Sequence, residues 1–382
     1  MLIIHAYASW AIGDKLRNGY QDFTIFYCAA KILRSGLGSQ LYNEGLQLQV
    51  QRSFAPNVPI RQGPLPFNHP AFEALLFVPF ARLSYFSAYL LWTVANLGML
   101  ALLFFLLRPH LSILKEIALP EWMFAWLAFF PVFIGLLQGQ DSILLLLLFV
   151  LAYLALHSRR DFNAGCWLGL GLFRFQFALP FLLILLWQKK WRAVLGFALI
   201  ASALGGLSLA LVGWTGTLTY IDYAQRVERG TTGAIVAATM PNLRGLAAWA
   251  AVAGVPPYVV MGTVVLLSVA VLLFASSIWG IDRTGRLAMC AALLAVSLAS
   301  YHDHEYDLSL LLLPILLVGE HLKLTKAAAK SSIGLLGPMI ALWSPLPAIL
   351  WFGYPQANLL ALVLLWWLWS MGRRASAAAA SG

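Results

Sequence analysis

The stretch MCAALLAVSLAS (289–300), YHDHEYD (301–307) and LSLLLLPILLV (308–318) decides the fold, because it sets a short polar string between two apolar runs. Each run predicts a membrane helix, for which roughly 20 apolar residues are needed and fewer suffice inside a bundle. Ionisable side chains are costly at membrane depth and usually line a cavity or a substrate path. The string 301–307 therefore predicts a functional site where two membrane helices end.

The composition of the whole chain is typical of a membrane protein. Of its 382 residues, 61% are hydrophobic and 10% are charged, whereas a soluble domain is roughly 45–50% apolar. We therefore expect an all-α polytopic membrane protein with one integral domain, residues 1–374, and a disordered tail at 375–382. The net charge of +10 is dispersed between apolar runs, which indicates membrane topology and no nucleic-acid partner.

Apolar runs between helix breakers predict nine spans. They lie at 86–107, 120–137, 141–157, 191–213, 257–280, 287–301, 307–319, 331–346 and 357–371. A further run, 163–187, is interrupted at Arg174 and Pro180, which favours two short helices with a turn at Arg174; one helix with a snorkelling arginine is the alternative. With this hairpin and the short runs 1–12 and 70–83 included, we expect about 11–13 membrane helices.

Short basic loops predict the orientation of the bundle. They lie at Arg108–Lys115, Arg159-Arg160, Lys189–Arg192, Arg283–Arg286, Lys323–Lys330 and Arg373-Arg374. The positive-inside rule places such loops in the cytoplasm. Arg159 and Lys189 can share that side only if 163–187 crosses twice, which agrees with the hairpin. The periplasmic side then collects the segments 13–85, Gln138–Asp141, Arg174, 214–256 and 302–306. We therefore expect an inner-membrane protein with a periplasmic active site.

The first loop, 13–69, has the pattern of amphipathic helices. Helical spacing is shown by Phe23, Phe26, Tyr27, Ala30 and Leu33. Residues 43–53 form a second, weakly amphipathic stretch, and such helices lie in the plane of the interface. The short run 70–83 favours a re-entrant or interfacial helix, and 1–12 are too few residues for a full span.

Acidic and histidine side chains are candidates for chemistry in two places. Asp22 directly precedes a helical pattern, so it is either a helix N-cap or an acid positioned by that helix. The second place contains His302, Asp303, His304, Tyr306 and Asp307. This density of acids and histidines exceeds what a helix cap requires, and the spacing matches no specific metal site. We expect neither a metal nor a cofactor.

Two arginines on the predicted periplasmic side are candidates for binding a phosphate. Arg174 lies between apolar helices and Arg244 lies in the second outer loop; guanidinium geometry suits phosphate, although contact with lipid headgroups is the alternative. The string Gln138-Gly139-Gln140-Asp141, which begins a span, is a helix cap or a pocket wall, and Gln176 is placed in the same wall beside Arg174. The sequence has no P-loop and no Rossmann glycine pattern, which argues against nucleotide-driven chemistry.

The order of these motifs resembles glycosyltransferase family 87, which includes polyprenol-phosphate-mannose-dependent mannosyltransferases of the GT-C fold. The resemblance runs from about residue 20 to about residue 320. It rests on Asp22-Phe23, Tyr27, Ala29-Ala30, Gly36, Leu41-Tyr42, His69-Pro70, Pro79, Gly139-Gln140, Gly165, Gly169, Arg174-Phe175-Gln176, Ala299-Ser300-Tyr301, Tyr306-Asp307-Leu308 and Pro314. The chain departs from the family where Arg174-Phe175-Gln176 replaces Lys-Pro-Gln and where Ser300 replaces Pro. The first change keeps the charge and loses a rigid turn, so donor preference can differ.

The resemblance implies a GT-C type helical bundle and an inverting hexosyltransferase. Its donor would be a mannose-like sugar on a polyprenyl-phosphate carrier, and its acceptor a lipid or a glycan. By position, Asp22 would be the general base, and Arg174 and Arg244 would bind the donor phosphate. His302 or His304 would orient the acceptor or contact the phosphate. The site wall would be formed by Gln140, Gln176, Asp303, Tyr306 and Asp307.

Two other functions fit the same residues. A transporter or flippase for a lipid or solute would use the cluster 302–307 as a proton relay. Such transporters often contain inverted repeats, and the sequence shows no matching second half. A non-catalytic assembly partner in envelope synthesis is the third alternative.

Overall fold

The structure, a computed structural model, describes residues 1–55, 65–228, 237–282, 285–326 and 332–380. These residues are 82% helical and contain no strand, which confirms the predicted all-α fold. Five helices are long and apolar enough to cross a membrane, or up to seven if two bent pairs each count as one span. This confirms a polytopic membrane protein. Five to seven long helices are fewer than the roughly 11–13 membrane helices expected, because several predicted spans are helices of only 10–17 residues.

The helices follow one another in a single series along the described residues. They are α1 (Leu2–Ala11), α2 (Gly13–Arg17), α3 (Phe23–Arg34), α4 (Glu44–Phe54), α5 (Ala71–Phe77), α6 (Tyr85–Leu107), α7 (Leu119–Leu127), α8 (Phe130–Gln138), α9 (Ser142–His157), α10 (Asp161–Leu170), α11 (Phe175–Trp187), α12 (Trp191–Glu228), α13 (Leu243–Val252), α14 (Pro257–Ile281), α15 (Arg286–Ala299), α16 (Leu312–Thr325), α17 (Ile333–Trp343), α18 (Leu346–Ala348) and α19 (Leu360–Ala380). Short 3₁₀ segments include Phe80–Arg82, Gly171–Arg174 and Asp307–Leu311, and a π-helical turn covers Ile349–Gly353.

Helix α3 is the buried centre of the first loop. The predicted helix is present, but nine of its 12 residues are buried, because α4, α5 and α6 all pack against it. Phe26 stacks on Phe77 of α5 with ring centroids 4.6 Å apart. Helix α3 is therefore part of the protein core, and its position relative to the membrane interface stays a prediction. Helix α5 has seven residues and a length of roughly 10 Å, which agrees with a segment that does not cross the membrane.

Two predicted spans are broken in the structure. The span expected at 120–137 is the pair α7 and α8, which are bent by 79°, and the span expected at 331–346 is bent by 51° after α17. Proline favours both breaks, since it lacks the N–H that continues a helix and fits best in a first turn. Pro131 lies in the first turn of α8, and Pro347 lies in the first turn of α18.

Two predicted loops are partly helical. Helix α12 continues beyond Gly213, where the backbone kinks (φ 69°, ψ 179°), as far as Glu228; the outer loop predicted at 214–256 therefore begins as helix. The disordered tail predicted at 375–382 overlaps α19, which continues to Ala380, and residues 381–382 lie outside the described part of the chain. Alanine has the highest helix propensity, so a run of alanines extends the helix that precedes it.

The segment 161–187 folds back on itself. By length and composition it could cross once, and a straight helix of 27 residues would separate its ends by roughly 40 Å. However, Lys190 Nζ lies 3.1 Å from Asp161 Oδ2, so the two ends are adjacent. The backbone of Arg174 is not helical (φ −115°, ψ 61°). The chain therefore turns at Gly171–Arg174, which confirms the predicted hairpin.

The basic loops gather at one end of the bundle. Side-chain contacts and shared cavities join their described residues in the pairs His110 with His157, Lys190 with Asp161, Arg159 with Arg286, Glu116 with Lys323, and Ile281 with Arg373. The hairpin turn, the start of α9 and the string 301–307 lie together elsewhere, since Arg174 and Asp307 both contact residues at the start of α9. This grouping agrees with the charge pattern, and the side of the membrane that each end faces stays a prediction.

Glycines allow α10 and α12 to pack with their backbones in contact. This close packing can be tested by substitution. A Cβ at Gly165 would lie 1.8 Å from the carbonyl oxygen of Ala193, so Gly165→Ala would force the helices apart. Overpacking of this kind costs about 1–3 kcal/mol. We expect a lower thermal unfolding temperature for Gly165→Ala in detergent.

The matched control is Gly205→Ala on α12, where a Cβ would meet nothing within 4 Å. Alanine is favoured over glycine in a helix by about 1 kcal/mol, so the control should be neutral or slightly stabilised. An unfolding temperature for Gly165→Ala equal to that of the control would contradict the close packing of α10 on α12.

Candidate active site

A cavity of about 430 Å³ opens where the first loop, the start of α9, the hairpin turn and the loop after α15 meet. Seven of the ten residues predicted for the site line it: Asp22, Gln140, Arg174, Gln176, His302, His304 and Tyr306. The remaining wall contains Ile25, Leu65, Pro66, Asn68, His69, Phe173, Phe175, Ala224, Gln225 and Tyr301. The fold therefore brings residues from both ends of the sequence to one cavity.

Asp22 uses its carboxylate for a contact across the cavity. It occupies the N-cap position of α3, yet its side chain makes no capping hydrogen bond. Gln140 Nε2 donates a hydrogen bond to Asp22 Oδ2 at 2.8 Å, and the Asp22 backbone N–H donates to Gln138 Oε1 at 3.1 Å. Of the two roles open from sequence, the structure favours an acid positioned by α3 over a helix cap.

Gly139 explains why Gln140 reaches Asp22. It ends α8 in the left-handed region (φ 65°), which glycine adopts without the steric cost of a side chain. A Cβ at Gly139 would lie 2.7 Å from the Cβ of Phe23, so only glycine permits this close approach of α8 to α3. The turn places Gln140 beside the residue that precedes Phe23.

Arg174 is the buried cation of the cavity. Its side chain is 3% exposed, and its Nε and Nη2 atoms donate to Asp141 Oδ1 at 2.9 and 2.7 Å. Nη2 also donates to Gln140 Oε1, and the guanidinium lies 5.8 Å from the centroid of the Tyr306 ring. One network therefore runs from Asp22 through Gln140 and Arg174 to Asp141.

The string 301–307 divides into residues that face the cavity and residues behind them. His302, His304 and Tyr306 line the cavity, whereas Asp303 and Asp307 are fully buried and do not. Asp307 accepts hydrogen bonds from Ser142 Oγ at 3.2 Å and from the His304 backbone N–H at 3.1 Å. The acid therefore fixes the loop to the start of α9.

Burial sets the protonation of this loop. It lowers the pKa of His304 to about 4 and that of His302 well below its usual value, in both cases with a contribution from the Arg174 charge. Both imidazoles are therefore neutral at pH 7. Burial, together with the neighbouring Asp307, raises the pKa of Asp303 well above its usual value. The loop thus presents neutral hydrogen-bonding groups to the cavity.

Arg244 lies outside the cavity lining, although sequence reasoning places it in the phosphate site. Its Nη1 donates to the Tyr301 carbonyl oxygen at 2.9 Å, and its guanidinium lies 3.9 Å from the centroid of the Tyr301 ring. Asn242, which caps α13, donates to the carbonyl oxygen of Ser300 at 3.0 Å. The start of α13 therefore holds the beginning of the loop in place.

Three further residues, His69, Glu73 and Asp141, lie beside the cavity, and sequence reasoning places none of them among the site residues. His69 Nδ1 lies 2.8 Å from Glu73 Oε2, and one nitrogen or oxygen atom of each residue lies within 4.8 Å of the others, as in a metal site. The cluster 302–307 forms no such group in the described part of the chain. The signal available from sequence was the His-x-x-x-Glu spacing across the start of α5, which puts two polar groups on one helix face.

The cavity combines a proton acceptor with a buried cation. A half-buried carboxylate, Asp22, can accept a proton, and a buried guanidinium can stabilise an anionic leaving group. Neutral histidines can orient hydroxyl groups by hydrogen bonding. The described residues therefore suit proton abstraction from a hydroxyl next to a phosphate.

Comparison with known proteins agrees with this chemistry. A family model described as Glycosyltransferase family 87 matches residues 67–314, which is more than half of the chain. The match includes His69, Gln140, Arg174 and the string 301–307, and it begins after Asp22. No curated protein and no solved structure matches the chain.

The buried ion pair of Arg174 and Asp141 leads to a stability prediction. Replacement of Arg174 by Met would leave the Asp141 carboxylate buried without its countercharge, and such a change costs about 3–5 kcal/mol. We expect Arg174→Met to unfold at a clearly lower temperature than the wild type in detergent. Asp141→Asn in the same chain should restore part of the loss, because it removes the uncompensated charge.

The wild type, the single variants Arg174→Met and Asp141→Asn and the double variant form a double-mutant cycle. Their unfolding temperatures are measured by intrinsic tryptophan fluorescence during heating. Strictly additive losses would contradict a direct interaction between the two side chains. The cycle also shows whether an Arg174 variant is folded. A loss of activity in an unfolded variant would say nothing about anion binding by Arg174.

Proposed function

The chain belongs to glycosyltransferase family 87, and on that premise we propose that this membrane glycosyltransferase moves a mannose-like sugar from a polyprenyl-phosphate carrier to a lipid or glycan acceptor. Family membership supports the transfer of a sugar by a membrane protein. The identity of the donor, the acceptor and the base is our proposal. The observation that carries it is the meeting of Asp22 and Arg174 in one cavity, joined through Gln140.

Asp22 acts as the general base in this proposal. Its carboxylate takes the proton of the acceptor hydroxyl while that oxygen attacks the anomeric carbon, and the bond from this carbon to the phosphate oxygen breaks. The phosphate leaves as an anion with the bonding electron pair, so no general acid is required. A single displacement inverts the configuration at the anomeric carbon.

Arg174 stabilises the leaving phosphate. Its Nε and Nη2 atoms are occupied by Asp141 and Gln140, whereas Nη1 makes no hydrogen bond with the described residues. Because Arg174 lines the cavity, Nη1 is the donor that can reach a phosphate oxygen. Asp141 fixes the guanidinium in this orientation, so the phosphate meets a preorganised donor.

His302 and His304 orient the acceptor. Their imidazoles are neutral at pH 7 because burial lowers both pKa values, so each ring has one nitrogen that accepts a hydrogen bond and one that donates. The two ring centroids lie 4.6 Å apart at nearly a right angle. A hydroxyl between them and Asp22 could be held before its proton is removed.

The carrier chain would enter from the lipid side of the hairpin. Phe173 and Phe175 line the cavity, and Phe175 is 44% exposed on the outside of the bundle. An apolar wall that continues to an exposed aromatic residue suits a polyprenyl chain. We propose that this end faces the periplasm across a cell inner membrane, because the basic loops lie at the other end.

The base can be tested with Asp22→Asn. Asparagine keeps the shape of the side chain and can still accept the hydrogen bond from Gln140, so the variant should fold normally. Loss of a general base lowers transfer by about 10²–10⁴-fold. The measurement is transfer of radiolabelled mannose from polyprenyl phosphate to extracted lipids by the purified enzyme.

Asp14→Asn is the matched control, because Asp14 is an exposed acid on the neighbouring helix α2. The control should retain wild-type transfer. Wild-type transfer by Asp22→Asn would remove Asp22 from the mechanism and leave the proposed base to another residue of the cavity.

The orientation can be tested by labelling single cysteines in intact cells. Ser53 and Lys326 are exposed, at the cavity end and the basic end respectively. Of the native cysteines, Cys28 and Cys290 are buried and Cys166 is half-buried. After their replacement, a membrane-impermeant maleimide should label Ser53→Cys and spare Lys326→Cys. The opposite pattern would place the cavity on the cytoplasmic side.

A further inference from the structure

His69 is held firmly at the edge of the cavity. Its ring lies between Phe26 and Phe67, with ring centroids 5.3 and 5.5 Å away, and Tyr42 donates to its backbone carbonyl at 3.0 Å. Pro70 follows it as the N-cap of α5, which places Glu73 one helical turn later on the same face. The side chain is 10% exposed, and its exposed part lines the cavity.

The contact with Glu73 determines which nitrogen of His69 faces the cavity. Nδ1 lies 2.8 Å from Glu73 Oε2, and a carboxyl oxygen in this position accepts the hydrogen of Nδ1. Burial, with a contribution from the Arg174 charge, lowers the pKa of His69 to about 3, so the ring carries a single proton at pH 7. Nε2 is then the hydrogen-bond acceptor, and it makes no hydrogen bond with the described residues.

Two buried oxygens show how Glu73 is protonated. Glu73 Oε1 and Asp141 Oδ2 are both inaccessible and both lack a hydrogen-bond donor among the described residues. Two carboxylates can only accept, so neither could satisfy the other. One proton on Glu73 Oε1 satisfies both, because it makes Glu73 a donor to Asp141. Burial and the Asp141 charge raise the pKa of Glu73 well above its usual value, which agrees with this assignment.

The hydrogen bonds then form one series with every direction fixed. Arg174 donates to Asp141 Oδ1; with the proton assigned to Glu73, that residue would donate to Asp141, and His69 Nδ1 would donate to Glu73 Oε2. The charges of Arg174 and Asp141 cancel, so the buried group is neutral without a metal ion. A divalent ion with ionised Glu73 would instead give these four side chains a net positive charge, which is costly in a buried site.

We propose that His69 is a hydroxyl-binding subsite of the cavity, in which Nε2 accepts a hydrogen bond from a hydroxyl of the transferred sugar or of the acceptor. The subsite rests on the proposed function for the nature of these substrates. Neutral Glu73 is a positioning residue, since it keeps the ring oriented and keeps the proton on Nδ1. His69 thereby differs from Asp22, because it orients a substrate and does not remove its proton.

The first test compares His69→Phe with the wild type. Phenylalanine keeps the packing against Phe26 and Phe67 and removes the acceptor, and the loss of one hydrogen bond of this kind corresponds to about a threefold to tenfold change in affinity. We expect KM to rise by this factor for one substrate, with kcat changed less. A rise in the donor KM assigns the hydroxyl to the sugar, and a rise in the acceptor KM assigns it to the acceptor.

His157→Phe is the matched control, because His157 is also a partly buried histidine stacked on an aromatic ring, that of Tyr153, and lies in the other large cavity. It should leave both KM values unchanged. Unchanged KM values for both substrates in a folded His69→Phe protein would overturn the subsite.

The second test concerns the proton on Glu73. Glutamine reproduces a neutral carboxylic acid, because its carbonyl accepts from His69 and its amide donates to Asp141. Glu73→Gln should therefore keep KM within about twofold of the wild type, whereas Glu73→Leu should raise KM at least as much as His69→Phe does. A rise in KM in Glu73→Gln equal to that in Glu73→Leu would overturn the neutral assignment. Stoichiometric manganese or zinc in the wild type, absent from Glu73→Gln, would overturn it in favour of a metal site.

A binding measurement separates failure of the subsite from failure of the proposed function. Mannosyl polyprenyl phosphate is titrated into the wild type and into His69→Phe, with polyprenyl phosphate lacking the sugar as reference. Absence of binding to the wild type would overturn the proposed function and the subsite with it. Donor binding by the wild type, together with unchanged KM values in His69→Phe, would overturn the subsite alone.

Discussion

The ion pair of Arg174 and Asp141 connects the parts of the chain on which the cavity depends. It joins the turn of the α10–α11 hairpin to the start of α9 in a place where both side chains are almost fully buried. A buried charge without a partner costs several kcal/mol, so neither element can move away from the other. Gln140 extends the connection to Asp22 in the first loop. The need to keep two buried charges paired therefore determines the shape of the cavity as much as apolar packing does.

Close backbone contacts between helices keep Arg174 and Asp141 at the distance that their ion pair requires. Gly165 and Gly196 bring α10 and α12 together, and Gly139 brings the end of α8 onto Phe23. In a bilayer, helices gain little from burying apolar surface against each other, and small residues that permit close approach take over that role. The result is a hairpin whose turn cannot shift relative to the helices that present Gln140 and Asp22.

The sequence contains enough information to predict the candidate residues whose charge is unusual for their surroundings. Asp22, Arg174 and His302 are conspicuous because ionisable groups are rare in an apolar chain, and the distribution of Arg and Lys is sufficient to predict the hairpin. Glu73 and Asp141 are not conspicuous, since each also fits an ordinary helix terminus. Their meeting depends on how α5 packs beside α9, which no local pattern records. Arg244 is the converse case, because its charge is conspicuous in the sequence, yet it contacts the backbone carbonyl and the ring of Tyr301 and does not line the cavity.

The protonation of the cavity has a consequence for the surroundings in which the protein can work. His69, His302 and His304 all have pKa values lowered by burial, to about 3 for His69 and about 4 for His304. A histidine with an ordinary pKa near 6.5 gains a charge when the medium becomes mildly acidic, whereas these three remain neutral. In a mildly acidic medium the imidazoles of the cavity would therefore keep the charge state that they have at pH 7. The three histidines therefore remain neutral hydrogen-bonding groups and do not respond to mild acid.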